Sequence, residues 1–224
     1  MKMPLEDNAM NHTSANSHTA GYVGMRPGSR NDIPQSHRQI LWIDGVGGYL
    51  MMQRADVLIG QSGSLVDIAI VGDISRQAAV IRRRESDYFV DPLQETRVND
   101  QPISSAALLP SEAQLQFGSR VKMRLIKPHP LSSTARLEMV SLHRFQPRVD
   151  GVLLLADSCI LGPNSSSHVY CPEWSHDLLM FSQDGQWYFR TVHEVEVNGV
   201  AQTGQIAVTS GMRMRGADFS LSIE

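Results

Sequence analysis

Two cysteines, Cys159 and Cys171, in 224 residues are too few for a disulfide-stapled scaffold. No run of about 18 apolar residues occurs, so no helical membrane span is predicted. The stretch from Met1 to Met10 carries Glu6 and Asp7 and lacks the apolar stretch of a secretory signal. Together these absences predict a soluble, unexported, cytoplasmic protein with no membrane partner. Excess charge is missing as well. The formal net charge is −3 and the pI is near 6.2, which gives no long-range attraction to a phosphate backbone, so nucleic acid is not an expected partner. No Gly-x-Ser-x-Gly elbow, His-Glu-x-x-His or paired-carboxylate spacing is found, which predicts no catalysis and no cofactor. Cys159, His168, Cys171 and His176 cluster in sequence but lack Cys-x-x-Cys or His-x-x-x-His spacing, so no metal site is expected. Gly45-Val46-Gly47-Gly48 lacks the Lys-Ser/Thr of a phosphate loop and reads as a hairpin turn.

What is present is material for β structure. Hydrophobic residues make up 42% and charged residues 19%, enough to bury real cores. Residues 1–38 stand apart: they are rich in Asn, Ser, His, Thr, Gly and Pro with scattered apolar side chains, which predicts a disordered tail. From Gln39 onward, strand-length apolar stretches recur at Ile40 to Ile43, Tyr49 to Met52, Val57 to Ile59, Val66 to Val71, Ala78 to Ile81 and Tyr88 to Val90. Gly, Asp and Asn turn formers separate them. The spacing predicts a sandwich. Ser104 to Gln116 is the best helix candidate, although its alternation also permits a strand. Pro128 and Pro130 break the run from Lys127 to Ser133, and the polar stretch from His143 to Arg148 suggests a boundary.

Beyond that boundary the order of features starts again. Asp150-Gly151-Val152 echoes Asp44-Gly45-Val46, Leu161-Gly162 echoes Ile59-Gly60, and Ser175 echoes Ser75. Tyr188-Phe189 and Val197-Asn198-Gly199 then follow where Tyr88-Phe89 and Val98-Asn99-Asp100 stood. Each echo alone is cheap, but their order predicts a duplicated unit. The expected organisation is a tail at 1–38, a β-sandwich at 39–147 and a second sandwich at 148–224.

Leu58-Ile59-Gly60, Asp67-Ile68-Ala69-Ile70, Asp73-Ile74-Ser75-Arg76-Gln77-Ala78-Ala79 and Thr96-Arg97-Val98-Asn99 carry a resemblance over roughly Asp44 to Met139. In this order they resemble the forkhead-associated (FHA) domain family. Its pattern is Ile-Gly-Arg, an Asp-Ile strand, Ser-Arg-x-His-Ala, then an Asn-Gly-Thr turn and hydrophobic-Asn-Gly. The resemblance implies an all-β fold of two tandem FHA-like antiparallel β-sandwiches, whose apical loops bind phosphothreonine peptides without catalysis. The candidate phosphopeptide-binding residues are Gln61, Ser75, Arg76, Gln94, Thr96 and Asn99.

Several positions depart from the pattern. Gln61 stands where the phosphate-contacting Arg is expected, and a neutral amide binds a dianion about half as strongly as a guanidinium. Ala78 replaces the motif His, and Gln94-Glu95 replace the Asn-Gly before Thr96, adding a carboxylate. Arg82, Arg83 and Arg84 offer compensating charge or, more blandly, solvated strand-edge charge. Ser75 serves equally as a turn residue. In the second half Pro163 follows Gly162, and Ser175-His176-Asp177-Leu178 keeps only the Ser, which predicts a folded but phosphate-blind unit. The expected partner is a protein or a phosphothreonine peptide, in kinase signalling. The tail itself, with Thr13 and Thr19, is a further candidate ligand. The alternative is a scaffold that docks partners independently of phosphate.

Overall fold

The computed structural model describes residues 38–224; all but the last residue of the expected tail lies outside them. The described residues form strands and no α-helix. They begin with β1 (Gln39–Ile43), β2 (Gly47–Met52), β3 (Asp56–Gln61), β4 (Ile68–Val71), β5 (Ala79–Arg84), β6 (Asp87–Pro92) and β7 (Thr96–Val98). There follow β8 (Gln101–Ile103), β9 (Ala107–Leu109), β10 (Glu112–Phe117), β11 (Val121–Ile126), β12 (Ala135–Met139), β13 (Arg144–Gln146) and β14 (Gly151–Leu154). The chain ends with β15 (Ser158–Gly162), β16 (Val169–Tyr170), β17 (Leu178–Gln183), β18 (Gln186–Val197), β19 (Val200–Ala207), β20 (Arg213–Arg215) and β21 (Ser220–Ile223). The all-β expectation is borne out. The sheets are nevertheless mixed, with parallel contacts β3–β4, β15–β16 and β2–β14 among antiparallel neighbours. The helix candidate at Ser104 to Gln116 falls in β9 and β10, where Ala113, Leu115 and Phe117 alternate into the core with the period of a strand. Gly45 and Val46 fall in the β1–β2 hairpin turn, as the composition suggested, and Gly47 and Gly48 open β2 opposite Ile43 and Trp42.

A six-stranded sheet, in the order β13-β4-β3-β5-β6-β9, faces one end of a fifteen-stranded sheet that runs through β2, β14, β12, β11, β10, β7 and β8. Between them lies a core that includes Ile59, Ile68, Ile70, Ile81, Leu115, Phe117, Met123 and Phe145. The larger sheet continues from β2 through β1, β21 and β20 to β18, and so reaches a second core around Leu161, Met180, Phe189 and Met214. Strands β2 and β14 serve both cores. Leu50, Met52, Val152 and Leu154 point into the first, whereas Met51, Leu153 and Leu155 point into the second. Burial on both faces explains why these segments read as unbroken apolar runs rather than as alternation. The expected boundary at 147/148 therefore falls just before a strand that pairs with β2 and β12 of the first half.

The halves share a pairing order. Strand β15 is parallel to β16 and antiparallel to β17, which pairs with β18, just as β3 is parallel to β4 and antiparallel to β5, which pairs with β6. Asn99, at φ 49°, accepts a bond from Gln114 N through Oδ1 (2.8 Å); Asn198, at φ 50°, accepts one from Arg213 N (2.9 Å). This ladder register places Trp187, not Tyr188, opposite Tyr88 in the comparison, and both are buried. By the same register Leu178 corresponds to Ala79, so Ser175 stands level with Arg76 rather than Ser75.

Candidate functional site

Three connections meet at one end of the first sandwich. Strand β3 ends there at Gln61, whose amide donates to Ser75 O (3.0 Å) in the 72–78 loop. That loop leads into β5, and its Ala78 carbonyl accepts from Leu93 N (2.9 Å) and Gln94 N (3.0 Å) of the 93–95 loop. The loops are thus tied through backbone groups that any sequence could supply. Gly60 is different: a Cβ there would lie 2.0 Å from Arg76 O, so only glycine lets the 72–78 loop lie against β3.

Gln61 is half-buried at the end of β3, while Ser75, Arg76 and Gln94 are exposed. Among the described residues Arg76 makes no ion pair, which leaves its guanidinium available to an anion. Thr96 is only 1% exposed, and its hydroxyl donates to Gln94 O (2.9 Å), so it braces the turn from within. Asn99 sits at the β7–β8 hairpin, with its side chain bonded to β10. The arrangement brings Gln61, Ser75, Arg76 and Gln94 to connected loops and gives Thr96 and Asn99 positions inside the scaffold's hydrogen bonding. Ala78 is buried and Glu95 is exposed.

The arginine triplet lies elsewhere. Strand β5 enters at the loops with Ala79 and carries Arg82 to Arg84 towards its far end, between β3 and β6 rather than at an edge. Arg82 bridges Asp56 (2.9 Å) and Asp91 (3.1 Å), Arg84 pairs with Asp56 (2.7 Å), and Arg83 donates to Leu155 O (3.3 Å). These bonds lower the pKa of Asp56, chiefly through the Arg84 hydrogen bond. The triplet is thus spoken for at the opposite end of the strand.

Sequence reading missed β13. This short edge strand sets Arg144 opposite Val71, the last residue of β4 before the 72–78 loop, and Gln146 accepts a bond from Ser62 Oγ. An exposed arginine therefore stands at the loop end beside Gly72 and Asp73. Local sequence holds no signal for it, because the pairing joins segments far apart in the chain.

The second half's titratable cluster does not converge: among the described residues no group of three His, Cys, Asp or Glu side chains is placed to hold a metal ion. Cys159 and Cys171 are free and buried, and burial pushes both thiols up, Cys171 to about 12. Among the described residues no helix is long and apolar enough to cross a membrane.

No family model and no curated protein matches the chain. Two solved structures are similar to it. The first is Mycobacterium tuberculosis EmbR in complex with a low affinity phosphopeptide, at 25% identity and TM-score 0.29, covering 37% of this chain and 22% of that one. The second is the N-terminal FHA domain from EssC, a component of the bacterial Type VII secretion apparatus, at 10% identity and TM-score 0.23, covering 83% of this chain and 92% of that one. The chain thus spans about a fifth of the EmbR chain's length.

Proposed function

We propose that the chain is a non-catalytic protein-binding adaptor of the cytoplasm, built from two FHA-like units at 39–147 and 148–224 that share strands. Its first unit takes a partner peptide on the loops that follow β3, β4 and β6, with phosphothreonine as a weakly held anchor, in kinase signalling. The observation that carries this reading is exposed Arg76, which makes no ion pair among the described residues, beside exposed Ser75 on a loop fastened to β3 against Gly60. A guanidinium and a hydroxyl supply charge-assisted bonds to a phosphate, and Arg144 at the end of β4 adds positive charge nearby. Weakness follows from Gln61, which gives an amide where a second guanidinium would serve, and from exposed Glu95, whose carboxylate opposes an anion.

Those same two residues favour a second reading, in which the loops dock a partner without reading phosphate. Titrating labelled protein with a phosphothreonine peptide and its unmodified twin distinguishes the two by NMR. The first reading expects larger amide shifts at 61–62, 75–77 and 93–95 with the phosphopeptide than with its unmodified twin at the same concentration; equal shifts with both peptides support the second. Peptides spanning Thr13 and Thr19, phosphorylated and not, serve as the ligand arm from the chain's own tail.

A further inference from the structure

Strand β18 is interrupted on the second half's corresponding loop end. It pairs with β19 from Tyr188 to Thr191 and again from Val195, and between these Val192, His193 and Glu194 leave the ladder as a bulge. Bulges re-aim side chains and free backbone groups for new partners. Here the bulge forms one wall of a cavity of about 320 Å³, whose other walls are the 175–178 segment and the 216–219 turn between β20 and β21. That size is at the lower end of ligand cavities, about 300–1,000 Å³, and suits one or two side chains rather than a cofactor.

Its surface is mostly apolar. Leu178, Val195 and Phe219 line it, and Val192 stands at its edge 85% exposed. Thr191 also lines the cavity, is 8% exposed, and has a buried hydroxyl without a hydrogen-bond partner. A native fold keeps few such orphans, and this oxygen is closed off from solvent within the cavity wall. The rim carries the carboxylates of Asp177, Glu194 and Asp218 against Arg190 and the imidazoles of His176 and His193, whose rings are 5.3 Å apart. Arg190 lies over the Phe181 ring at 4.7 Å. Asp218 accepts the Ser175 amide, and hydrogen bonding from Ser175, its side chain first and then its amide, lowers the Asp218 pKa. With neutral histidines the rim is net negative, which repels phosphate and attracts ammonium or guanidinium groups.

The geometry points to a second binding site in which this cavity takes a bulky apolar side chain of an unphosphorylated peptide, with a flanking Lys or Arg on the carboxylate rim. The peptide backbone meets the groups freed by the bulge. This site is independent of phosphate reading by the first unit, so each fails or stands alone.

The test uses the full chain and four labelled octapeptides centred on Lys-Phe-Lys, Glu-Phe-Glu, Lys-Ala-Lys and Lys-phosphothreonine-Lys. Affinity is read by fluorescence anisotropy and location by NMR shifts. The Lys-Phe-Lys peptide is expected to shift amides of 191–195 and 216–219, with each of the other three binding there at least about tenfold more weakly. Glu194→Lys changes an exposed rim side chain and turns its charge against the flanking lysines, so these shifts are expected to be lost, whereas Arg76→Ala does not affect them. Absence of shifts at millimolar Lys-Phe-Lys peptide overturns the inference. So does binding that ignores the flanking charge or survives Glu194→Lys.

Discussion

Lowering the pH from about 7.5 to about 5 loads a proton onto His168 in the unfolded chain but not in the folded one. In the fold the ring is fully buried, its Nδ1 accepts the Ile160 amide at 2.9 Å, and its Nε2 has no partner. Burial, then the neighbouring His129 and Arg136, push its pKa down from 6.5 to about 4. Protonation would also set an N–H of the ring against the Ile160 N–H. For a base with a depressed folded pKa, the stabilisation is complete above about 6.5 and is lost as the pH falls towards about 4. Each pH unit in that window costs about 1.4 kcal/mol, so at about pH 5 His168 alone removes about 2 kcal/mol. With a urea slope of about 2 kcal/mol per M, the midpoint falls by about 1 M. Carboxylates titrate in the same window, so the variant His168→Asn supplies the reference: its side-chain oxygen keeps the bond from Ile160 N but takes up no proton. The variant starts less stable, through lost packing, yet its urea midpoint drops by about 1 M less than the wild type's between the two pH values. Parallel drops in both proteins refute the reasoning.

Gly60→Ala drives a Cβ to 2.0 Å from Arg76 O and is expected to cost about 2 kcal/mol or more, seen as a Tm drop of about 4–8 °C and as displaced 72–78 amide resonances. Asn99→Ala loses the bond to Gln114 N and forces alanine to a positive φ, about 1–2 kcal/mol by urea unfolding, whereas Asn99→Gly loses only the bond and costs less. The paired substitutions at Asn198 give the same ranking, because its φ and its bond to Arg213 N are alike. Thr191→Val removes a buried hydroxyl without a partner and raises stability by up to about 1 kcal/mol in thermal unfolding of the peptide-free chain.

Much of the first sandwich was legible because its strands are half-buried and alternate. Val57 and Ile59 in β3, Ile81 in β5 and Tyr88 and Val90 in β6 point inward, and their neighbours are more exposed. The loop residues were legible as motif positions, and Gln61, Ser75, Arg76 and Gln94 do lie on connected loops. Burial of Thr96 was not, since a hydroxyl bonded two residues back leaves no mark on composition. The sharing of β2 and β14 between two cores escaped notice for a similar reason: their apolar runs look the same whether one sheet or two cover them. Strand β13 depends on pairing with distant β4, whereas the β18 bulge arises within the local β18–β19 hairpin, where Val192-His193-Glu194 carries no mark that sets it apart from regular strand. Ser75 and Ser175 look equivalent only until the flanking ladders fix the register, which moves Ser175 level with Arg76.

The most direct test of phosphate reading by the first unit is the ratio of affinities for a phosphothreonine peptide and its unmodified twin, measured by anisotropy on wild type, Arg76→Ala and Gln61→Arg. A modest preference for phosphate is expected in the wild type, its loss in Arg76→Ala, and a gain of about tenfold in Gln61→Arg as an amide gives way to a charge-assisted fork. A wild type that binds both peptides equally, with discrimination appearing only in Gln61→Arg, contradicts that expectation.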